Sequence, residues 1–276
     1  MGSDRHSLFR RVVAQAGDDF DLARAALAIA QEEYPALRPE TYLARLDELA
    51  ARVRDVAGGE IDPYRLIASL NHVLFTRESF RGNRGDYYDP RNSFLNDVLE
   101  RKKGIPITLS VIYIEVARRA GLPLKGVGFP GHFLVKYESD DEEIVIDPFD
   151  NGEVRTLEEL QRLLDGVYNG KIALRPEFLA PVSSRQIIHR MLNNLKSLYL
   201  SEENLVKALS AAERLVILDP ASAPEIRDRG ALYLKLECFQ QAINDFEAYL
   251  RLAPDASDAE DIRDQVVELK KSAALH

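Results

Sequence analysis

The chain of 276 residues has a single cysteine, Cys238, so no disulfide can form within it, and a lone thiol fits a reducing compartment. No stretch reaches the roughly 18 apolar residues of a membrane span, and the first twenty residues hold no apolar core of signal-peptide length. These absences predict a cytoplasmic protein that does not engage a membrane. Positive charge is scarce as well. Thirty-six Lys and Arg against 45 Asp and Glu leave a formal net charge of -9, which argues against a nucleic-acid partner, because phosphate binding rewards clustered cations. Metal patterns are missing too. His6, His72, His132, His189 and His276 are scattered, with no HExxH pair and no Cys/His cluster. GxxxxGK does not occur, and although Gly126, Gly128 and Gly131 fall at GxGxxG spacing, they sit within the strand pair and read as tight backbone packing around His132, so no metal or other cofactor is expected.

What is present is a chain with 46% apolar residues, long enough for two domains or for one domain with an appended repeat unit. Residues 6 to about 57 show helical periodicity, with Phe20, Leu22, Ala26, Leu27 and Ile29 on one stripe and Tyr42, Leu46, Leu49, Ala50 and Val53 on another. Asp62 reads as an N-cap with Pro63 at the first helical position. The irregular segment FRGNRGDYYDP interleaves charges and glycines with Tyr87 and Tyr88. A loop of this make-up either lines a site or packs across a domain edge. Asn92 reads as the N-cap of SFLNDVLERKK, which Gly104 ends.

From about Ile107 to Ala120 the sequence is apolar on nearly every helical face, so this helix belongs at the centre of a core, with Gly121 as its stop. GVGFPGHFLVKY and EEIVIDPF follow, joined by the acidic turn ESDDE, and predict an antiparallel pair. Thr156 and Glu159 form a capping-box pattern. After Pro181 the pattern becomes purely helical. LVILDP, ending at Pro220, recurs 34 residues later as YLRLAP, ending at Pro254, the tetratricopeptide period. The tail DAEDIRDQVVELKK is amphipathic and predicts a closing helix.

Two residues suggest chemistry, His132 in PGHF and Asp147 before Pro148. Each alone has a structural reading as a turn or cap residue. Together, behind a central helix and on successive strands, they predict a hydrogen-bonded pair.

The run from NSFLNDVLERKKGIPITLSVIYIEVARRAGLPLKGVGFPGHFLVKY through IDPFDNG, with the trailing repeats, resembles the bacterial SirB-type transglutaminase-like proteins. EEYPALRPETYLARLDELA is similar too, so the resemblance covers nearly the whole chain. It implies an α+β fold, mostly helical, with a papain/transglutaminase-like core, a small antiparallel sheet and a following tetratricopeptide repeat unit. The expected organisation is an N-terminal helical part over 1–90, the core over 91–181 and the repeats with their closing helix over 182–276. In that superfamily a cysteine opens the central helix, and a histidine and an aspartate follow on successive strands. His132 and Asp147 then take the histidine and aspartate positions. The cysteine position falls at or beside Pro106.

Proline offers no heteroatom, and its ring suits a helical first turn, so position 106 reads as structural. Thr108 and Ser110 are the nearest hydroxyls. Asn92, Thr108, Tyr87 and Tyr88 are candidate binding residues around the His132/Asp147 pair. The sequence thus predicts a non-catalytic interaction or scaffold module, a pseudoenzyme whose protein or peptide partner binds through the repeats. The alternative is a residual hydrolase or acyl transferase that uses His132 and Asp147 with a non-cysteine nucleophile. The identity of the partner and the oligomeric state are open at this level.

Overall fold

The computed structural model describes residues 6–14, 17, 19–59 and 62–273, so His276 lies outside the described residues. The chain divides into two compact units, one up to Met191 and one from Leu192 onward. It is mostly helical, with one small antiparallel sheet.

The first unit opens with helices α1 (Ser7–Val13), α2 (Leu22–Ala30), α3 (Pro39–Ala57) and α4 (Pro63–Asn71). Their ends are written in the sequence. Asp21 accepts the Arg24 amide at the start of α2, Asp62 accepts the Arg65 amide ahead of Pro63, and Gly58 closes α3 at φ 71°. The chain then runs on from α4 as a π-helical turn, His72–Arg77, which seats Val73 and Leu74 in the core. Next come β1 (Arg81–Gly82), a 3-10 turn (Pro90–Asn92), α5 (Leu95–Arg101) and β2 (Lys103–Gly104), with β1 and β2 pairing in parallel.

The N-cap of α5 is Phe94, which corrects the assignment of that position to Asn92. Asn92 is fully buried two residues earlier, and its side chain is committed to the preceding loop. Its amide donates to the carbonyls of Asp86 (2.7 Å) and Tyr87 (3.2 Å), and its Oδ1 accepts from Asn83 (2.9 Å).

Helix α6 (Pro106–Ala120) is the centre of this unit. Every residue except Arg118 and Arg119 is buried, as the all-round apolar pattern requires, and Gly121 ends it at φ 99°. Pro106 sits in its first turn, where a missing N–H costs nothing. Polar groups on α6 are tied down individually. Thr108 donates to the Asn92 carbonyl at 2.5 Å, and the Tyr113 hydroxyl donates to Asn71 Oδ1 at 2.9 Å.

The sheet follows: β3 (Lys125–Val127), β4 (Leu134–Glu138), β5 (Glu143–Asp147), β6 (Glu153–Val154) and β7 (Pro181–Val182), in the spatial order β6-β5-β4-β3-β7, antiparallel throughout. Helix α7 (Leu157–Tyr168) opens with the Thr156/Glu159 capping box. It presses Leu160 and Leu164 onto Val127, Phe129, Leu134 and Val145 of the sheet layer. Each such leucine or valine taken from water contributes roughly 1.5–3 kcal/mol.

Helix α8 (Ser184–Ser201) runs through the division between the units. The second unit continues with α9 (Leu205–Leu218), α10 (Ala223–Lys235), α11 (Phe239–Leu252) and α12 (Ala259–Ala273). Small residues at repeat-equivalent positions, Ala208 and Ala242, are fully buried, as the close approach of paired helices demands. Val266, with Ile262 and Leu269 beside it, packs α12 against Ile243 and Phe246, so the amphipathic tail closes the array.

Gly230 is the tightest point of the α10/α11 contact, since a Cβ there would stand 2.9 Å from the Phe246 ring and 3.1 Å from Asp245 Cβ. Gly230→Val is expected to lower stability by about 2 kcal/mol through overpacking. The check is a denaturant midpoint at unchanged slope. A midpoint equal to that of the parent would show slack that this packing does not contain.

Candidate functional site

Strand β5 ends on Asp147, and the register of the next hairpin decides what surrounds that carboxylate. The Arg155 amide donates to the Val145 carbonyl (2.8 Å), which turns the Arg155 side chain back over Asp147. Arg155 Nη2 lies 3.1 Å from Asp147 Oδ2, and the same guanidinium also pairs with Asp150 and with Glu153 (3.0 Å). Asp147 Oδ1 accepts the Phe149 amide at 3.1 Å, starting a 3-10 turn over Pro148–Asp150.

His132 arrives from the other side. The turn between β3 and β4 is pinned by its backbone amide donating to the Phe129 carbonyl (3.1 Å), and the imidazole Nε2 stands 3.0 Å from Asp147 Oδ1. The Asp147 side chain is 2% exposed against 14% for His132, so the carboxylate is the inner member and the imidazole the outer one.

Burial pushes the Asp147 carboxyl up, but the His132 and Arg155 contacts outweigh it and hold the group below its ordinary value. An ionised Asp147 can only accept, so the His132 Nε2 that faces it carries a proton. No hydrogen bond engages Nδ1 among the described residues. An imidazole oriented in this way can take a proton from a neighbouring acid or bind a donor.

Position 106 is proline. The Thr108 hydroxyl is fully buried and donates to the Asn92 carbonyl. Ser110 is fully buried too, and its hydroxyl has no partner among the described residues. Cys238 belongs to the second unit, where it caps α11 with its thiol 3.6 Å from the Leu236 carbonyl.

The remaining candidates divide. Tyr87 and Tyr88 are reached from His132 through a series of edge-on rings: His132 to Phe149 at 5.9 Å, Phe149 to Tyr87 at 6.2 Å, and Tyr87 to Tyr88 at 5.4 Å. Tyr88 is 76% exposed and Tyr87 41%. Asn92 and Thr108 are buried and bonded to one another's region of the chain, so they brace the loop and offer a ligand no surface. Gly82 lets Phe149 lie against β1, because a Cβ there would come within 2.6 Å of the ring.

Three contributors escape sequence reasoning: Arg155, Arg190 and Asn71. Arg190 donates to the His132 carbonyl (2.7 Å) and the Phe129 carbonyl (3.2 Å) from 58 residues further along the chain. Asn71 donates to the Gly152 carbonyl (2.8 Å) while accepting from Tyr113, which joins the end of α4 and the middle of α6 to the loop beyond Asp147. Arg155 alone had a usable signal, an arginine just beyond a short hairpin from a buried aspartate. Among the described residues, no group of three or more His, Cys, Asp or Glu could hold a metal, and no helix is long and apolar enough to cross a membrane.

A central helix followed by a strand-borne histidine and aspartate is a transglutaminase-like arrangement, and the chain belongs to that superfamily, whose pattern matches residues 40–193; a tetratricopeptide repeat is matched over 195–266. Within it, the relatives are bacterial proteins called UPF0162. The chain is 40% identical to the one from Xylella fastidiosa, over 90% of this chain and 89% of the relative. It is 34% identical to the one from Vibrio cholerae, over 94% and 97%. Among solved structures, the crystal structure of menin is similar at a TM-score of 0.38 and 12% identity, over 94% of this chain and 72% of menin, and bears no argument.

The depressed Asp147 carboxyl sets a pH dependence. Its folded value lies below the roughly 3.9 of an unfolded aspartate. Its contribution is therefore present in full above about pH 4 and is lost as pH falls through the folded value. Asp147→Asn is expected to cost about 2 kcal/mol near neutrality, since an amide cannot serve both His132 and Arg155. Denaturant titrations of parent and variant should converge below pH 4, and a constant difference down to pH 3 would contradict this assignment.

Proposed function

We propose that this protein is a non-catalytic, SirB-type transglutaminase-like domain joined to a short tetratricopeptide array, acting in the cytoplasm as a scaffold or regulatory module that binds protein or peptide. The observation that carries the reading is Pro106 in the first turn of α6, at or beside the position to which the resemblance assigns the cysteine. A cysteine there would be activated by the helix dipole and an adjacent imidazole, and proline supplies nothing for either to act on. The His132/Asp147 pair then serves as a staple of the fold and as a polar anchor for a ligand.

The second unit supports the same reading. A groove of about 200 Å³ is lined by Leu200, Ala231 and Leu232 between the charges of Lys196, Asp228 and Lys235. An apolar floor with charged walls suits an extended or helical peptide segment.

One observation favours a residual enzyme, namely that no hydrogen bond engages His132 Nδ1 among the described residues, so that it could activate water. The full chain is expected to give no turnover above buffer with 4-nitrophenyl acetate, or with a benzyloxycarbonyl-glutaminyl-glycine and hydroxylamine pair. Turnover that disappears in His132→Ala would overturn the non-catalytic reading.

Restoring the thiol tests the same geometry from the opposite direction. In a Cys238→Ser background, Pro106→Cys should fold, losing less than about 1 kcal/mol because the first turn does not need proline. Its thiol should react with iodoacetamide at pH 7 roughly tenfold faster than free cysteine, and His132→Ala should remove that advantage. A thiol of ordinary reactivity would show that position 106 does not face the imidazole.

A further inference from the structure

Three cations converge on the carboxylate of Glu78, just beyond the π-helical turn. Its side chain is 10% exposed, its Oε2 accepts from Arg45 at 2.9 Å and from Lys102 at 3.0 Å, and its Oε1 pairs with Arg52. Arg45 also reaches Glu48 at 3.1 Å, and the Lys102 ammonium lies 4.3 Å from the centre of the Phe80 ring. The parallel ladder adds two more cations. Arg81 of β1 is the register partner of Lys103 of β2, and the Arg81 amide donates to the Lys102 carbonyl at 2.9 Å. Arg81 is exposed and Lys103 half-buried, and neither side chain has a hydrogen bond or an ion pair among the described residues. Five cations thus share this corner of the first unit with two carboxylates, in a chain whose net charge is -9.

The backbone holds one of these cations in a conformation that its residue type disfavours. Lys102 closes α5 at φ 61°, and Ser79, beside Glu78, also has φ 61°. Glycine ends a helix in this way without strain, so a lysine side chain is kept where the helix end alone asks for none. The point of convergence is already filled by Glu78. A compact dianion such as phosphate needs its cations to meet at one point, and here that point holds a carboxylate of the chain itself. What remains lies on the flanks. A guanidinium has five N–H donors and an ammonium three, and Arg52 and Lys102 each spend one hydrogen bond on Glu78. These leftover donors, with Arg81 and Lys103, are spread from α3 across a ladder whose strands stand about 4.8 Å apart. A row of carboxylates along a short segment matches that spread. A long phosphate chain does not, because the acidic surplus of the rest of the chain repels it beyond the cluster.

We infer that Arg45, Arg52, Arg81, Lys102 and Lys103 form a docking face on the first unit for an acidic segment of a protein partner, with Glu78 as the internal carboxylate that holds three of the cations in place. This rests on the reading of the protein as a module that binds protein or peptide, and adds where on the first unit a partner docks and with what chemistry. Complementary charge of this kind governs encounter and register and is screened by salt.

The test uses the full chain and acetylated, amidated hexaglutamate, titrated by calorimetry, with hexaglutamine as the uncharged counterpart. Hexaglutamate should bind with a dissociation constant on the order of 100 μM in dilute salt, at least roughly tenfold tighter than hexaglutamine, and roughly tenfold more weakly at about 300 mM NaCl. The double variant Arg81→Gln, Lys103→Gln should weaken binding at least about fivefold, and it should fold as the parent does, since neither side chain has a partner to lose. Arg52→Gln should weaken binding in the same direction, and it decides the point if the double variant fails to fold. Lys171→Gln, which removes an exposed charge outside the cluster, should change nothing. Equal binding of the two peptides, or a loss in Lys171→Gln as large as in the double variant, would overturn the docking face. Displacement of hexaglutamate by an equal concentration of inorganic pyrophosphate would overturn the assignment to an acidic segment. Self-association of the chain in dilute salt, abolished by the double variant, would replace the partner with a second copy of this chain and overturn the assignment to a separate protein. Failure of this face leaves the groove of the second unit untouched. Turnover abolished by His132→Ala would sink the non-catalytic reading alone, since hexaglutamate is bound and not cleaved.

Discussion

A carboxylate that is 2% exposed must have its lone pairs occupied, and much of the first unit is organised around doing this for Asp147. His132 and the Phe149 amide converge on one oxygen and Arg155 on the other. Each donor comes from a different piece of chain: the β3–β4 turn, the 3-10 turn after β5, and the residue beyond β6. Asp147 therefore fixes the relative positions of three segments that strand pairing alone would leave adjustable. Removing one donor would leave a buried charge short of a partner, which costs more than the bond itself contributes. This gives the pair a structural reason to exist whether or not any chemistry occurs beside it.

That structural reason explains how a histidine and an aspartate can pair in a domain whose central helix opens with proline. Nothing in the Asp147 network depends on what occupies position 106. Pro106 is itself well suited to its place, since its fixed φ matches the first turn and its missing N–H would have had no helical acceptor. Of the hydroxyls that follow, Thr108 is used by the fold, whereas Ser110 is fully buried with no partner among the described residues. Thr108 holds Asn92, and through Asn92 it holds the loop that carries Tyr87 and Tyr88. A threonine spent on bracing a loop is a poor nucleophile, because its proton already points at a carbonyl.

What was legible in the sequence was local or periodic. The all-round apolar pattern of α6 could only mean a central helix. The caps at Asp62, Thr156 and Gly121 mark ends that depend on the residue types themselves, and the 34-residue recurrence exposes the helix pairs α8/α9 and α10/α11. The misreading of Asn92 has the opposite origin. A cap and a loop brace use the same side chain and differ only in which distant backbone groups come near, and the partners at Asn83, Asp86 and Thr108 are brought in by tertiary structure. Arg190 was silent for the same reason, since a lone arginine on an amphipathic helix carries no sign that it will meet the His132 carbonyl.

The two guanidiniums around His132 show what charge bookkeeping adds to a contact map. Arg155 and Arg190 each donate to groups of the same small region, one to the Asp147 carboxylate and the other to the His132 backbone carbonyl. Arg155 is surrounded by three carboxylates, so that side of the imidazole carries surplus negative charge and its Nε2 proton is held in place. Arg190 is spent on two carbonyl dipoles and on the face of the Phe133 ring. One guanidinium thus fixes the carboxylate that holds the imidazole, and the other fixes the backbone from which the imidazole projects. Pairing with carboxylates and bonding to carbonyls therefore do different jobs around one histidine, the first setting its side chain and the second its turn.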